Sequence, residues 1–391
     1  MEIRQYKAEG ERISLLGFGC MRLPQKGEKA EEIDEEKGQA MVDYALGHGV
    51  TYFDTAYPYH NGASELFIGK ALSRYPRESF QLASKLPTWL LKSAADVDRY
   101  LNEQLEKCQT AYFDYYLVHS LAEGTYPKVA AYNVYERLRE KQREGKIRRL
   151  GFSFHDKPAL LEKIVGDYDW DFAQIQLNYL DWELLAAKEQ YEILTRAGLP
   201  VIIMEPVRGG ALATLSAKSA EIFKKANADV SVASWALRYA ASLPNVLTVL
   251  SGMTTLEQVR DNVRTMSDFR PLTEGERLVI DEALAAYRQS ATIPCTACRY
   301  CMDCPSGVDI PKVFAIYNRY MIDEFAFGFQ GDYRILGEEK QAHNCAGCGV
   351  CAGHCPQAIP IPEWMKKVTA LAEELRNKTT GARPLKPLGL D

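Results

Sequence analysis

The stretch DTAYPYH carries Asp54, Tyr57, Tyr59 and His60 around one proline, more proton-handling groups than a plain turn needs. Two later runs end in the same spirit: LASKLP reaches Lys85 and YYLVHS reaches His119. If Asp54, Lys85 and His119 all stand at strand ends, an acid, an ammonium and an imidazole are aimed at one place. An ammonium beside a phenol favours the phenolate, so a tyrosine of this stretch held beside Lys85 is expected to have a lowered pKa and to serve as a general acid near neutral pH. Asp54 would hold the ammonium there and keep it charged, and His119 would hydrogen-bond a substrate carbonyl and orient it.

The elements that must position these groups recur from residue 12 to about 265. Short β-rich runs (ISLLGFGC, TYFDTA, FQLASKL, DYYLVHS, RRLGFSF, FAQIQLN, VIIMEPV and VLTVLSG) alternate with amphipathic stretches such as GQAMVDYALGHG, ADVDRYLNEQLEKC, YNVYERLREKQREG and VSVASWALRYAAS. Eight strand-helix units are the count of a closed (β/α)8, or TIM, barrel, whose active sites lie at the C-terminal strand ends. An open doubly wound sheet would want a glycine-rich dinucleotide loop after its first strand, and LLGFGCMRLP offers only G-x-G with no helix start. Residues 273–284, opening on Thr273 as an N-cap, read as a helix leaving the barrel. The expected division is a barrel over 1–270, a linking helix over 271–290, a smaller, mainly helical domain over 291–375, and a polar tail over 376–391.

That smaller domain holds eight of the ten cysteines. CTACRYCMDCP places Cys295, Cys298, Cys301 and Cys304; CAGCGVCAGHCP places Cys345, Cys348, Cys351 and Cys355. Both resemble the bacterial ferredoxin run C-x2-C-x2-C-x3-C-P, the second outright and the first with x2 in the last gap. Two-residue gaps let consecutive thiolates wrap one face of a cubane. In two-cluster proteins the fourth cysteine of each run crosses over, which implies one 4Fe-4S cluster on Cys295, Cys298, Cys301 and Cys355 and another on Cys345, Cys348, Cys351 and Cys304. Zinc ribbons also use paired C-x2-C, but rarely eight thiolates in two triplets each followed by Cys-Pro. The long helix-compatible spacer resembles the α-helical ferredoxins of anaerobic oxidoreductases.

Over residues 1 to about 270 the sequence resembles the aldo-keto reductase superfamily, in an iron-sulfur branch with a ferredoxin-type domain fused to the barrel. FDTAYPYHNGASELFIGKAL is similar to that family's D-T-A-x-x-Y and S-E-x-x-x-G-x-A-L signature, with Ser64, Glu65, Gly69, Ala71 and Leu72. The resemblance implies a tetrad of Asp54, Tyr59, Lys85 and His119 with Tyr59 as proton donor, and NADP or NAD across the barrel mouth. Ser153 and Gln174 would meet the carboxamide, and Met204 stands where many members place a stacking tyrosine. Gly209 and Gly210 would let the backbone approach the pyrophosphate, and Asn262 falls in the loop that grips the adenosine end. The sequence departs from the family at Phe154, where an Asn is usual, and at Gly252 and Gln258, where a Lys and an Arg hold the 2′-phosphate; Arg260 is the available replacement. Trp89 and the run NYLDW are candidate substrate-pocket walls or rim packing.

A net charge of -5, from 47 Lys plus Arg against 52 Asp plus Glu, points away from nucleic acid and anionic membranes. The charged N-terminus and the lack of a run of about 20 apolar residues suggest the cytoplasm, and Cys20 and Cys108 read as inert buried thiols. Two functions fit: an NAD(P)H-dependent enzyme acting on a small-molecule carbonyl, or a redox relay passing electrons between nucleotide and a redox protein partner. A sensory or purely structural role for the clusters is a third reading.

Overall fold

The computed structural model describes residues 1–7, 10–27, 29–288, 292–323 and 325–380. The chain divides into two compact units, Met1–Thr214 with Ile222–Asp281, and Leu215–Glu221 with Glu282–Asp391.

The first unit begins with an antiparallel hairpin, β1 (Ile3–Gln5) and β2 (Arg12–Ser14). Eight strands follow: β3 (Leu16–Gly19), β4 (Tyr52–Asp54), β5 (Gln81–Leu86), β6 (Phe113–Leu121), β7 (Ile147–Phe154), β8 (Phe172–Gln176), β9 (Val201–Met204) and β10 (Val246–Gly252). They are parallel in sequence order, and β10 closes on β3 to complete the barrel. The expected architecture is borne out, and each of the eight β-rich runs coincides with one barrel strand to within a few residues.

Alternation along these strands decides which side chains face inward. Tyr52, Ala83, Tyr115, Leu117, Phe172 and Ile202 pack as one interior cluster with Tyr6 and Ile13 of the hairpin. Two residues further along the same strands stand Asp54, Lys85, His119 and Gln174, so the parity that builds the apolar layer also turns the polar groups inward above it. The helices carry the complementary apolar stripe. Ala95–Lys107, for example, buries Val97, Tyr100, Leu101, Gln104 and Leu105.

In the second unit, helices Ile310–Asp323, Ala326–Ile335 and Ile361–Thr380 pack Val313, Phe314, Phe329, Tyr333, Met365 and Val368 into a separate core. Asn318 clasps the segment before Cys295, accepting from the Ile293 N–H at 2.6 Å and donating to its carbonyl at 2.7 Å. The boundary between the units falls inside the helix Glu274–Arg288, where the sequence suggested a separate linking element. Regular helix also continues past residue 376 to Thr380; the rest of the expected tail, 381–391, lies outside the described residues. Among the described residues no helix is long and apolar enough to cross a membrane.

Candidate functional site

Lys85 is the hub of the barrel mouth. Its Nζ donates to Asp54 Oδ1 at 2.5 Å, to the Thr55 carbonyl at 2.7 Å and to the Tyr59 hydroxyl at 3.3 Å. Lys85 is 1% exposed and Asp54 2%, so the charges are compensated inside the protein and not by water. Tyr59 enters from a short 3-10 turn, Tyr59–Gly62, just after β4, and its ring centroid lies 6.3 Å from that of His119. The four residues named from the sequence are therefore neighbours.

Electrostatics correct one expectation. The Tyr59 phenol is pushed well above its ordinary pKa, first by burial and then by the charges of Asp54 and Glu205. The ammonium expected to lower it is paired with Asp54, so the phenol meets a nearly neutral ion pair and desolvation wins. Burial likewise raises the Asp54 carboxyl against the pull of Lys85. Burial, reinforced by the Lys85 charge, pushes His119 far down and keeps its imidazole neutral.

The mouth also contains buried polar atoms with no partner: His119 Nδ1 and Gln174 Oε1. Such atoms cost free energy unless a ligand satisfies them, so these residues fit a polar group lying across the strand ends. Ser153 Oγ accepts from the Ser120 N–H at 2.7 Å and keeps its own proton to donate. Met204 is partly buried against the interior cluster. Gly209 and Gly210 both adopt positive φ, 64° and 96°. Asn262 is buried and donates to Ser251 Oγ at 2.9 Å. Arg260 lies over the Tyr44 ring, while the side chain against Gly252 belongs to Arg22.

Support comes from behind. Glu65, wholly buried, accepts from Ser84 Oγ at 2.6 Å and Gln104 Nε2 at 2.5 Å, tying the helix Ala63–Leu72 to β5 and to the helix Ala95–Lys107. Ser64 bridges Thr55 and the Cys20 carbonyl at 2.8 and 3.1 Å. A Cβ on Gly69 would lie 2.6 Å from the backbone of Lys107 and Cys108, so the glycine permits two helices to touch. Of the candidate walls, Trp89 is 37% exposed with its ring 5.1 Å from that of His119, whereas Tyr179 and Trp182 pack on Tyr239. Tyr57 bonds Glu103 at the flank. Sequence reading missed the buried ion pair of Arg208 with Asp181, at 2.9 Å, and the Arg22–Glu205 pair at 3.7 Å. It also missed His155, pushed down to about 4 by burial and Lys85. Nothing local in the sequence marks them, since each depends on burial or on a partner distant in the chain.

The cysteines of the second unit line two small cavities. Cys295, Cys298, Cys301 and Cys355 surround one, and Cys304, Cys345, Cys348 and Cys351 the other, the same sets that crossing gives. Among the described residues no three His, Cys, Asp or Glu side chains converge on a point that would hold a single ion. Ile310 and Ile361 line both cavities and form a shared wall. The halves repeat each other: Cys304-Pro leads six residues on to Ile310-Pro311, and Cys355-Pro leads in the same spacing to Ile361-Pro362. Each Ile-Pro opens a helix at its own cavity.

The aldo/keto reductase family model matches residues 15–285, more than two thirds of the chain. The chain belongs to the aldo/keto reductase family. A second model, the 4Fe-4S dicluster domain, matches residues 294–359. Probable aldo-keto reductase 1 of Glycine max is 32% identical over 210 residues, 52% of this chain and 58% of that protein; the chain thus spans under two thirds of that relative. L-galactose dehydrogenase of Arabidopsis thaliana is 25% identical over 318 residues, 75% of this chain and 97% of that protein. Among solved structures, the holo form of aldo-keto reductase AKR11C1 from Bacillus halodurans superposes with a TM-score of 0.61 at 26% identity, covering 72% of this chain and 96% of that one. Membership makes this chain an oxidoreductase with a TIM barrel, and the second match adds a 4Fe-4S dicluster domain.

Proposed function

We propose that the barrel interconverts a small-molecule carbonyl and its alcohol, using NADP or NAD held across the mouth by Ser153, Gln174, Met204, Gly209, Gly210 and Asn262. The observation that carries this reading is the Lys85 ammonium bonded at once to Asp54 and to the Tyr59 hydroxyl, beside a neutral His119. A bound nicotinamide supplies or accepts hydride. Tyr59, held protonated by burial, gives its proton to the oxygen, and Lys85 stabilises the phenolate left behind. His119, unable to carry charge there, contributes a neutral hydrogen bond that orients the carbonyl. The partnerless Gln174 Oε1 supports an amide ligand such as a carboxamide.

Replacing Tyr59 with Phe keeps the ring and removes the proton. The expected outcome is intact nucleotide binding with carbonyl reduction slower by about 100-fold or more. Turnover like that of the wild type in this variant would dismiss the tetrad.

The eight cysteines are read as ligands of two 4Fe-4S clusters, supported by four thiols facing each cavity. Anaerobic protein should then contain close to eight iron and eight labile sulfide per chain; stoichiometric zinc without sulfide would contradict this. The wall shared by the cavities favours a second reading, in which the pair exchanges electrons with a redox protein.

A further inference from the structure

The two cysteine loops share positive φ at two matching positions but differ there in residue type. Two residues past the first cysteine of each run stand Ala297 and Gly347, with φ of 53° and 69°; one past the second stand Arg299 and Gly349, with φ of 67° and 77°. A left-handed conformation suits glycine and is unfavourable for an L side chain. The second loop uses glycine at both places, whereas the first tolerates the cost twice. Strain kept where a free alternative exists points to what the side chain does.

Arg299 lines the cavity of Cys295, Cys298, Cys301 and Cys355. Thiols apart, it is the one ionisable residue among the described residues that line either cavity. Its carboxylate partner Asp309, 3.8 Å away, lies outside that lining. The first loop also points the Ala297 N–H at Cys295 Sγ, 3.3 Å away. Water reaches both loops, since the Arg299 side chain is 51% exposed and Cys348 is exposed, so the contrast between the sites lies in the cation and the N–H donor. A nearby cation and N–H donation to sulfur both favour the more negative, reduced state of an iron-sulfur group.

We propose that Arg299 sets the two sites at different potentials, so that the cluster held by Cys295, Cys298, Cys301 and Cys355 takes up an electron before its neighbour. The proposal rests on the two-cluster reading. Each step takes one electron from the added reductant, and no bond forms or breaks.

The test is an anaerobic potentiometric titration followed by electron paramagnetic resonance, with iron and sulfide measured on the same samples. Wild-type protein should reduce in two separate one-electron steps. Arg299→Gly, which also relieves the backbone, should move only the upper step, downward by tenfold or more in its reduction equilibrium, about 59 mV; Arg299→Lys should restore most of the separation. Cys348→Ala, which removes a ligand from the other cluster, should leave a single upper step still sensitive to Arg299. Unchanged potentials in fully loaded Arg299→Gly protein, or a shift of the lower step, would overturn the proposal alone. Wild-type protein without eight iron and eight sulfide would overturn the cluster reading and the proposal with it.

Discussion

Replacing Lys85 with Met strands a carboxylate. Asp54 Oδ1 lies 2.5 Å from Nζ in a site where both residues are at most 2% exposed, so at an effective dielectric of about 20 the attraction is about 7 kcal/mol. Desolvating the two ions costs several kcal/mol each, so the pair itself is close to neutral for stability. Removing one partner is different, because the desolvation of Asp54 then goes uncompensated. Lys85→Met should destabilise the barrel by about 3 to 5 kcal/mol, whereas Lys85→Met with Asp54→Asn should return most of that loss. The loss should also shrink as pH falls: a carboxyl already raised by burial binds a proton in the folded state before the unfolded chain does, so stability rises toward acid pH. Urea unfolding followed by tryptophan fluorescence reads this, since Trp89, Trp170, Trp182 and Trp235 lie in the barrel unit. A single variant losing under about 1 kcal/mol, as an exposed pair would, refutes the reasoning, as does a double variant no better than the single.

Three further outcomes are expected. His155, depressed to about 4, binds fewer protons folded than unfolded, so stability full above about pH 6.5 is lost as pH falls toward 4; His155→Gln should flatten that decline, and a urea midpoint that follows the wild-type pH curve would contradict it. Gly69→Ala drives a Cβ into backbone 2.6 Å away and should cost about 1 to 3 kcal/mol, seen as a lower urea midpoint; a wild-type midpoint would show that the helices part freely. Cys355→Ala should expose Cys295, Cys298 and Cys301 to alkylation while Cys345, Cys348 and Cys351 stay protected, and the reverse pattern by mass spectrometry would break the crossed assignment.

What the sequence determined by itself was everything that depends on period and spacing. Strand parity places Asp54, Lys85, His119 and Gln174 on the inward face, and eight β-rich runs separated by amphipathic stretches leave a closed barrel as the economical arrangement. Two-residue gaps between cysteines read as ligand runs because spacing alone sets which thiols share a face. Only the tertiary structure decided what burial and distant partners do. The phenol of Tyr59 is raised where adjacency to an ammonium suggested lowering, since Asp54 cancels the charge and burial remains. Arg208 finds Asp181, and Arg22 finds Glu205, across loops that no local pattern links. Arg299 and Gly349 look like ordinary loop residues until the backbone places both at positive φ and the fold puts each against its own cavity, only one of them with a charge. Desolvation and long-range Coulomb terms depend on three-dimensional distance, which the order of residues along the chain does not contain.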